Sequence, residues 1–329
     1  MTEKIKTITS NGILDDIFIN CPLWFPIIYI FIAINFPSGG KLLFILSLFL
    51  FAETHFASTW VFFFDKENWG WLKKNNYKLV FLPLYLALIA IFAWYFSPSL
   101  IIILHYLASG WHVTKQSIGI LKINKLTQKY YSFLIYLVSF LCLFVGLSNP
   151  GILSTSLSVF EINILLIFCS IVYAWVLFSD KAYGPFKYLE SLMPVFTGTL
   201  IYVPLLFFKN LAVATAVGVG MHWCQYIAIM WSTSLRKSQK KSNNKLISSN
   251  TIKSCGPKII FVFIYSLIMT SCAIYGMPDL KAENPEYSLI YLFPLLFQFY
   301  HFYIDGFIWK FSDPHIKGSV MSYLFSNAK

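Results

Sequence analysis

The stretch LVFLPLYLALIAIFAWYFSPSLIIILHYLASGWHVTKQSIGIL, residues 79–121, decides the fold class. Its 43 residues hold a single charge, Lys115. A helix rises 1.5 Å per residue, so about 20 apolar residues cross a hydrocarbon core of about 30 Å. The stretch is twice that length, and Ser97-Pro98 places a turn signal near its middle. It reads as two antiparallel transmembrane helices.

The rest of the chain has the same character. Of 329 residues, 57% are apolar and 12% charged, where soluble domains run near a quarter charged. This excludes a disulfide scaffold, a disordered chain and a nucleic-acid binder. Ten apolar segments are expected, at 18–36, 42–64, 79–96, 99–121, 131–148, 160–179, 192–208, 211–231, 259–277 and 287–311. Pro37-Ser-Gly-Gly40 and Asn149-Pro150-Gly151 are further turn signals, and Lys209-Asn210 divides segments seven and eight. Met1 to Asp16 is polar and lacks the basic region and small-residue cleavage site of a signal peptide. The expectation is an all-α, polytopic integral membrane protein forming one transmembrane domain over 1–329. It would sit in the inner membrane if the source is bacterial. Six scattered Cys, none in a CxxC pair, read as small buried hydrophobes.

Charge orients the spans. With the N-terminus inside, the inner segments carry 21 Lys and Arg and the outer loops carry three, Lys41, Lys209 and Lys281. That asymmetry alternates at every loop and puts both termini in the cytoplasm. The net charge of +11 is then topogenic. The most basic segment, 232–258, reads as a solvated cytoplasmic loop close to anionic lipid headgroups.

Ionisable groups inside a bilayer are costly, which marks them as functional candidates. Five of the six His fall within expected spans: His55, His105, His112, His222 and His301. His55, His112, His222 and His301 each lie nine or ten residues from the inner end of their span. At 1.5 Å per residue that is one layer, about 14 Å from the cytoplasmic edge. Asp305 follows His301 by four residues and Gln225 follows His222 by three, so each shares its histidine's helix face. Glu53, two residues before His55, points about 200° away. His105 shares a face with His112 one heptad earlier and reads as a fifth ligand or a supporting residue.

Imidazoles gathered in one layer suit a transition metal, and iron best among Fe, Zn, Cu and Ni. Four histidines hydrogen-bonding separately between helices remain an alternative. So does a bis-histidine haem, and so does a transporter using the histidines as metal or proton sites. The HxxxH clusters of membrane desaturases are absent, as are GxxxxGK[ST], HExxH and GxSxG.

Histidines embedded in several spans, together with Tyr300-His301-Phe302-Tyr303-Ile304-Asp305, resemble the Brp/Blh family of integral-membrane carotene-cleaving dioxygenases. That family carries a His-Phe-Gly-x-x-Asp element; here the Gly is missing, and Glu53-Thr54-His55-Phe56 stands where the family has an early His-Gly pair. The resemblance implies Fe(II) on His55, His112, His222 and His301 and oxidative cleavage of a polyene. The expected function is a membrane-embedded non-haem iron oxygenase acting on an isoprenoid, carotenoid or acyl lipid. Asp305 and His105 would assist catalysis. Its partners would be dioxygen, membrane lipids and an apolar substrate drawn from the bilayer.

Overall fold

A chain this apolar must satisfy its backbone internally, and helices do so within one segment. The computed structural model describes residues 8–9, 12–126, 128–148, 159–179, 185–208, 210–241, 249–277 and 288–325. Every regular element among them is helical. The helices are α1 (Gly12–Asn20), α2 (Trp24–Asn35), α3 (Pro37–Phe64), α4 (Trp69–Lys74), α5 (Tyr77–Phe96), α6 (Pro98–Ile123), α7 (Lys129–Leu147), α8 (Val159–Ser179), α9 (Pro185–Leu200), α10 (Leu211–Lys241), α11 (Ser249–Gly276), α12 (Leu289–Ile308) and α13 (Pro314–Ser319).

Among the described residues, five helices are long and apolar enough to cross a membrane: α3, α5, α7, α10 and α11. The pair α1–α2, bent by 59°, makes a sixth if it is one span. α6 and α12 are as long but carry inward polar residues, including Ser109, His112, His301 and Asp305, which lower their apolarity. Position in the bundle follows composition. In α10, 78% of the apolar window is buried inside the protein, against 17% in α5. α10 is therefore central, and α5 turns Tyr85, Leu88 and Phe92 outward, as a lipid-facing helix does.

Breaks in the helices are compensated by side chains. The bend before Pro22 frees two carbonyls; the Gln225 amide donates to Ile19 at 2.6 Å and the Thr197 hydroxyl to Asn20 at 2.8 Å. Pro83 cannot bond back to the Leu79 carbonyl, and the Tyr300 hydroxyl donates to it instead. Ser97 caps α6, accepting from the Leu100 N–H, with Pro98 in the first turn. Gly218 lets α10 lie against the Ile201 carbonyl, where an added Cβ would come within 1.9 Å.

The chain breaks at Phe36, directly before the turn signal Pro37–Gly40, and Pro37 then opens α3 with a 3-10 turn. One sequence expectation changes. The segment 232–258 is mostly not a solvated loop. α10 continues to Lys241 and α11 begins at Ser249. The helices extend because Lys237 and Lys258 are buried, both paired with Asp65 at 3.1 and 3.0 Å. Residues 242–248 and Asn149-Pro150-Gly151 lie outside the described residues.

Several segments meet at one end of the bundle. Ile8, Ile19, Ile120, Ile229 and Leu324 form one small core there. Arg236 donates to the carbonyls of Tyr323 and Leu324. The loop at Asp65 joins the same end through its two lysines.

Candidate metal centre

Four helices each send one imidazole into the centre of the bundle: His55 from α3, His112 from α6, His222 from α10 and His301 from α12. All four are buried. Ring centroids lie 4.4 Å apart for His55–His301, 4.7 Å for His112–His301, 4.8 Å for His55–His222, 5.1 Å for His112–His222 and 6.2 Å for His55–His112. The common layer expected from counting residues is thus a single cluster. A π turn at Leu48–Ala52 precedes Glu53 and sets the angle at which α3 delivers His55.

The nitrogens carry the chemical argument. A neutral imidazole has one N–H and one lone pair. Among the described residues, neither nitrogen of His222 has a hydrogen-bond partner, and those of His55 have none beyond the Ala52 backbone. Leaving such groups unpaired in an apolar interior costs about 1–3 kcal/mol each. His112 Nε2 and His301 Nε2 face each other at 3.1 Å. Metal–nitrogen bonds of about 2.0–2.1 Å put neighbouring donors of a tetrahedron about 3.3 Å apart, close to this spacing. Two sets bring their donor atoms within 4.8 Å of one another: His55 with His112 and His222, and His112 with His301 and Asp305. His112 is common to both. A cation at the centre would engage the unpaired lone pairs together, so the residues fit a metal.

With Asp305 ionised, a chain of hydrogen bonds sets the tautomer of His301. Its Nδ1 lies 2.6 Å from Thr59 Oγ1, which lies 2.6 Å from the Tyr226 hydroxyl, which donates to Asp305 Oδ1 at 2.8 Å. Tyr226 has one proton and gives it to the carboxylate. Thr59 therefore gives its own to Tyr226, at the shorter of its two oxygen contacts, and accepts from His301. His301 then carries its proton on Nδ1 and turns the Nε2 lone pair toward His112. The Trp309 indole N–H completes the carboxylate's surroundings, 3.3 Å from Asp305 Oδ2. Asp305 thus orients a histidine, the usual task of a carboxylate behind a ligand.

The expected residues divide as follows. His55, His112, His222 and His301 come together, and Asp305 joins them 3.9 Å from both His112 Nε2 and His301 Nδ1. His105 does not join. Its ring packs on Phe299 and Phe302, and Phe302 in turn packs on His112, so an aromatic ring stands between His105 and the cluster. Glu53 faces away from the cluster and accepts from Gln298 at 3.1 Å. Gln225 supports the bend at Ile19. Sequence reasoning did not single out Thr59, Tyr226 or Trp309 as supporting residues. A signal existed: Thr59, Gln116, Tyr226 and Asp305 each follow a cluster histidine by four residues and share its face.

Compared with known proteins, the chain matches no family model, no curated protein and no solved structure.

Proposed function

We propose that this protein is a ten-span membrane metalloenzyme with both termini in the cytoplasm, holding non-haem iron on His55, His112, His222 and His301. Its activity is oxygenation of a lipid-soluble substrate of the isoprenoid, carotenoid or acyl class. The observation that carries this reading is the set of buried imidazole nitrogens of His55 and His222, without a side-chain partner among the described residues, beside the facing pair of His112 and His301. An all-nitrogen donor set suits iron, copper and zinc, and no cysteine belongs to the donor groups among the described residues. Haem fits poorly: a macrocycle between any two of these imidazoles would need the space of the other two.

The topology draws on charge and on contacts. The segments that the Lys asymmetry assigns to the cytoplasm are those that meet at one end of the bundle: the N-terminal residues, the loop at Asp65, the far end of α10 and the C-terminal residues.

Bound iron would supply dioxygen activation. The chain's own groups do the rest. The Thr59–Tyr226–Asp305 chain holds His301 in its donor tautomer. Phe56 packs on His55 and His301 and Phe302 on His112, which keeps water from the imidazoles. The test is incubation of iron-loaded protein in lipid nanodiscs with a panel of an isoprenoid alcohol, a fatty alcohol and a carotene under isotopically labelled dioxygen. Label in an oxygenated product of one of them is expected. Metal uptake into sealed vesicles without any product would favour transport instead and overturn the oxygenase reading.

A further inference from the structure

A narrow crevice of about 80 Å³ runs along the helices on the side of the cluster opposite Asp305. One end is lined by Phe44, Ala212, Met277 and Tyr291, and the other by Phe56, Trp223 and Phe302. The two ends are eleven or twelve residues apart on α3, α10 and α12, about 16 Å at helical rise. Phe56 and Phe302 are the rings that contact His301 and His112, so the crevice ends against the cluster.

The lining is mostly apolar, and its ionisable and amide side chains form a belt one turn short of that end. Glu53, His105 and Gln298 line it there, beside Ser109. Glu53 is 1% exposed, and its Oε2 has no hydrogen-bond partner among the described residues. His105 lies against Gln298, and its Nε2 is likewise buried and without a partner there. Gln298 holds the other Glu53 oxygen. A carboxyl oxygen and an imidazole nitrogen, both desolvated and unpaired inside a mostly apolar crevice, are matched by a group that donates and accepts at once. A hydroxyl does this. A purely hydrocarbon occupant would leave both groups unsatisfied.

We infer that the crevice is the path by which a linear, membrane-soluble alcohol reaches the cluster, hydroxyl first, with Glu53, His105 and Gln298 as its recognition belt. This rests on the metalloenzyme reading for its consequence, since it points the oxygen-bearing end of the substrate toward the histidines, with Phe56 and Phe302 between them. It stands on the crevice geometry for its binding.

The test uses the full-length protein in nanodiscs and decanol carrying a diazirine at its far end, a length that spans from the belt to the outer end of the crevice, with the matching alkane as comparison. Photolysis should label the peptides holding Phe44, Met277 or Tyr291. Unlabelled decanol should compete and decane should not. Gln298→Leu and His105→Leu should each weaken labelling about tenfold, the loss of one buried hydrogen bond, with metal content unchanged. Glu53→Gln, which keeps the shape of the side chain, guards against misfolding and should weaken labelling as well. Equal labelling by alcohol and alkane, or labelling confined to lipid-facing positions such as Phe92, would overturn the proposal. So would unchanged labelling in all three variants. His222→Ala separates the two readings: it should lose metal and keep alcohol labelling, whereas a protein that binds no metal yet labels as described would sink only the metalloenzyme.

Discussion

At the scale of residues, the centre depends on where three protons sit. With Asp305 ionised, His301, Thr59, Tyr226 and Asp305 form one chain that donates from His301 toward the carboxylate. Tyr226→Phe breaks it at two bonds. Asp305 loses its shortest side-chain donor, and Thr59 loses its acceptor and is free to turn. The expected result is a 10–100-fold loss of metal affinity, the usual effect of removing a supporting partner, measured by competition with a chelator. Unchanged affinity in Tyr226→Phe would contradict the tautomer argument. This level was only partly legible in the sequence. Residue type and depth pick out the four histidines because imidazole is expensive in a bilayer. The supporting Thr59 and Tyr226 sit four residues beyond His55 and His222, but hydroxyls at such positions also bond to their own helix, as Thr114 does to Gly110. Spacing alone could not separate the two cases. His105 misled because a shared helix face says nothing of the ring that another helix inserts beside it.

At the scale of elements, the ends of α3, α10 and α11 are tied by one ionic group. Lys237 bonds Asp65 and Glu67, and Lys258 bonds Asp65 and Ser234. Burial pushes the Asp65 carboxyl up, and Lys237 and Lys258 outweigh it and hold it below the usual carboxylate range. A depressed carboxylate contributes stability above its unfolded value of about 3.9 and loses it as pH falls through the lower folded value. The thermal midpoint of the protein in detergent should therefore fall in strong acid. Asp65→Asn should remove that part of the acid dependence and cost about 3 kcal/mol at neutral pH, because it leaves Lys258 buried without a carboxylate and Lys237 with Glu67 alone. Equal midpoints for Asp65→Asn and the parent would contradict this account of the tie. This tie was not legible in the sequence: a run rich in lysine reads as solvated unless its acidic partner, some 170 residues away, is known to lie opposite.

At the scale of the molecule, composition and charge made the helical membrane class plain, and the turn at Ser97-Pro98 fell where the sequence put it. Helix length was harder to read. The Lys-rich end of α10 folds as helix because partners bury it. Sidedness is open to direct measurement. With the native thiols replaced, cysteine at Lys41 should react with a membrane-impermeant reagent on intact cells or spheroplasts. Cysteine at Lys66 or Lys310 should react only after permeabilisation. The opposite pattern would reverse the topology and the side from which the crevice is reached.

The central claim is that four imidazoles from four helices hold one metal. It is tested most directly by elemental analysis of the purified protein, with an optical spectrum from the same sample, beside His112→Ala, His222→Ala and His315→Ala. His315 stacks on Trp71 and pairs with Asn68, away from the centre, and serves as the control. The account predicts near-stoichiometric iron without a haem band in the parent and in His315→Ala, and its loss in the other two. Equal metal in all four proteins, or none in any after anaerobic purification and reconstitution with ferrous iron, would contradict it.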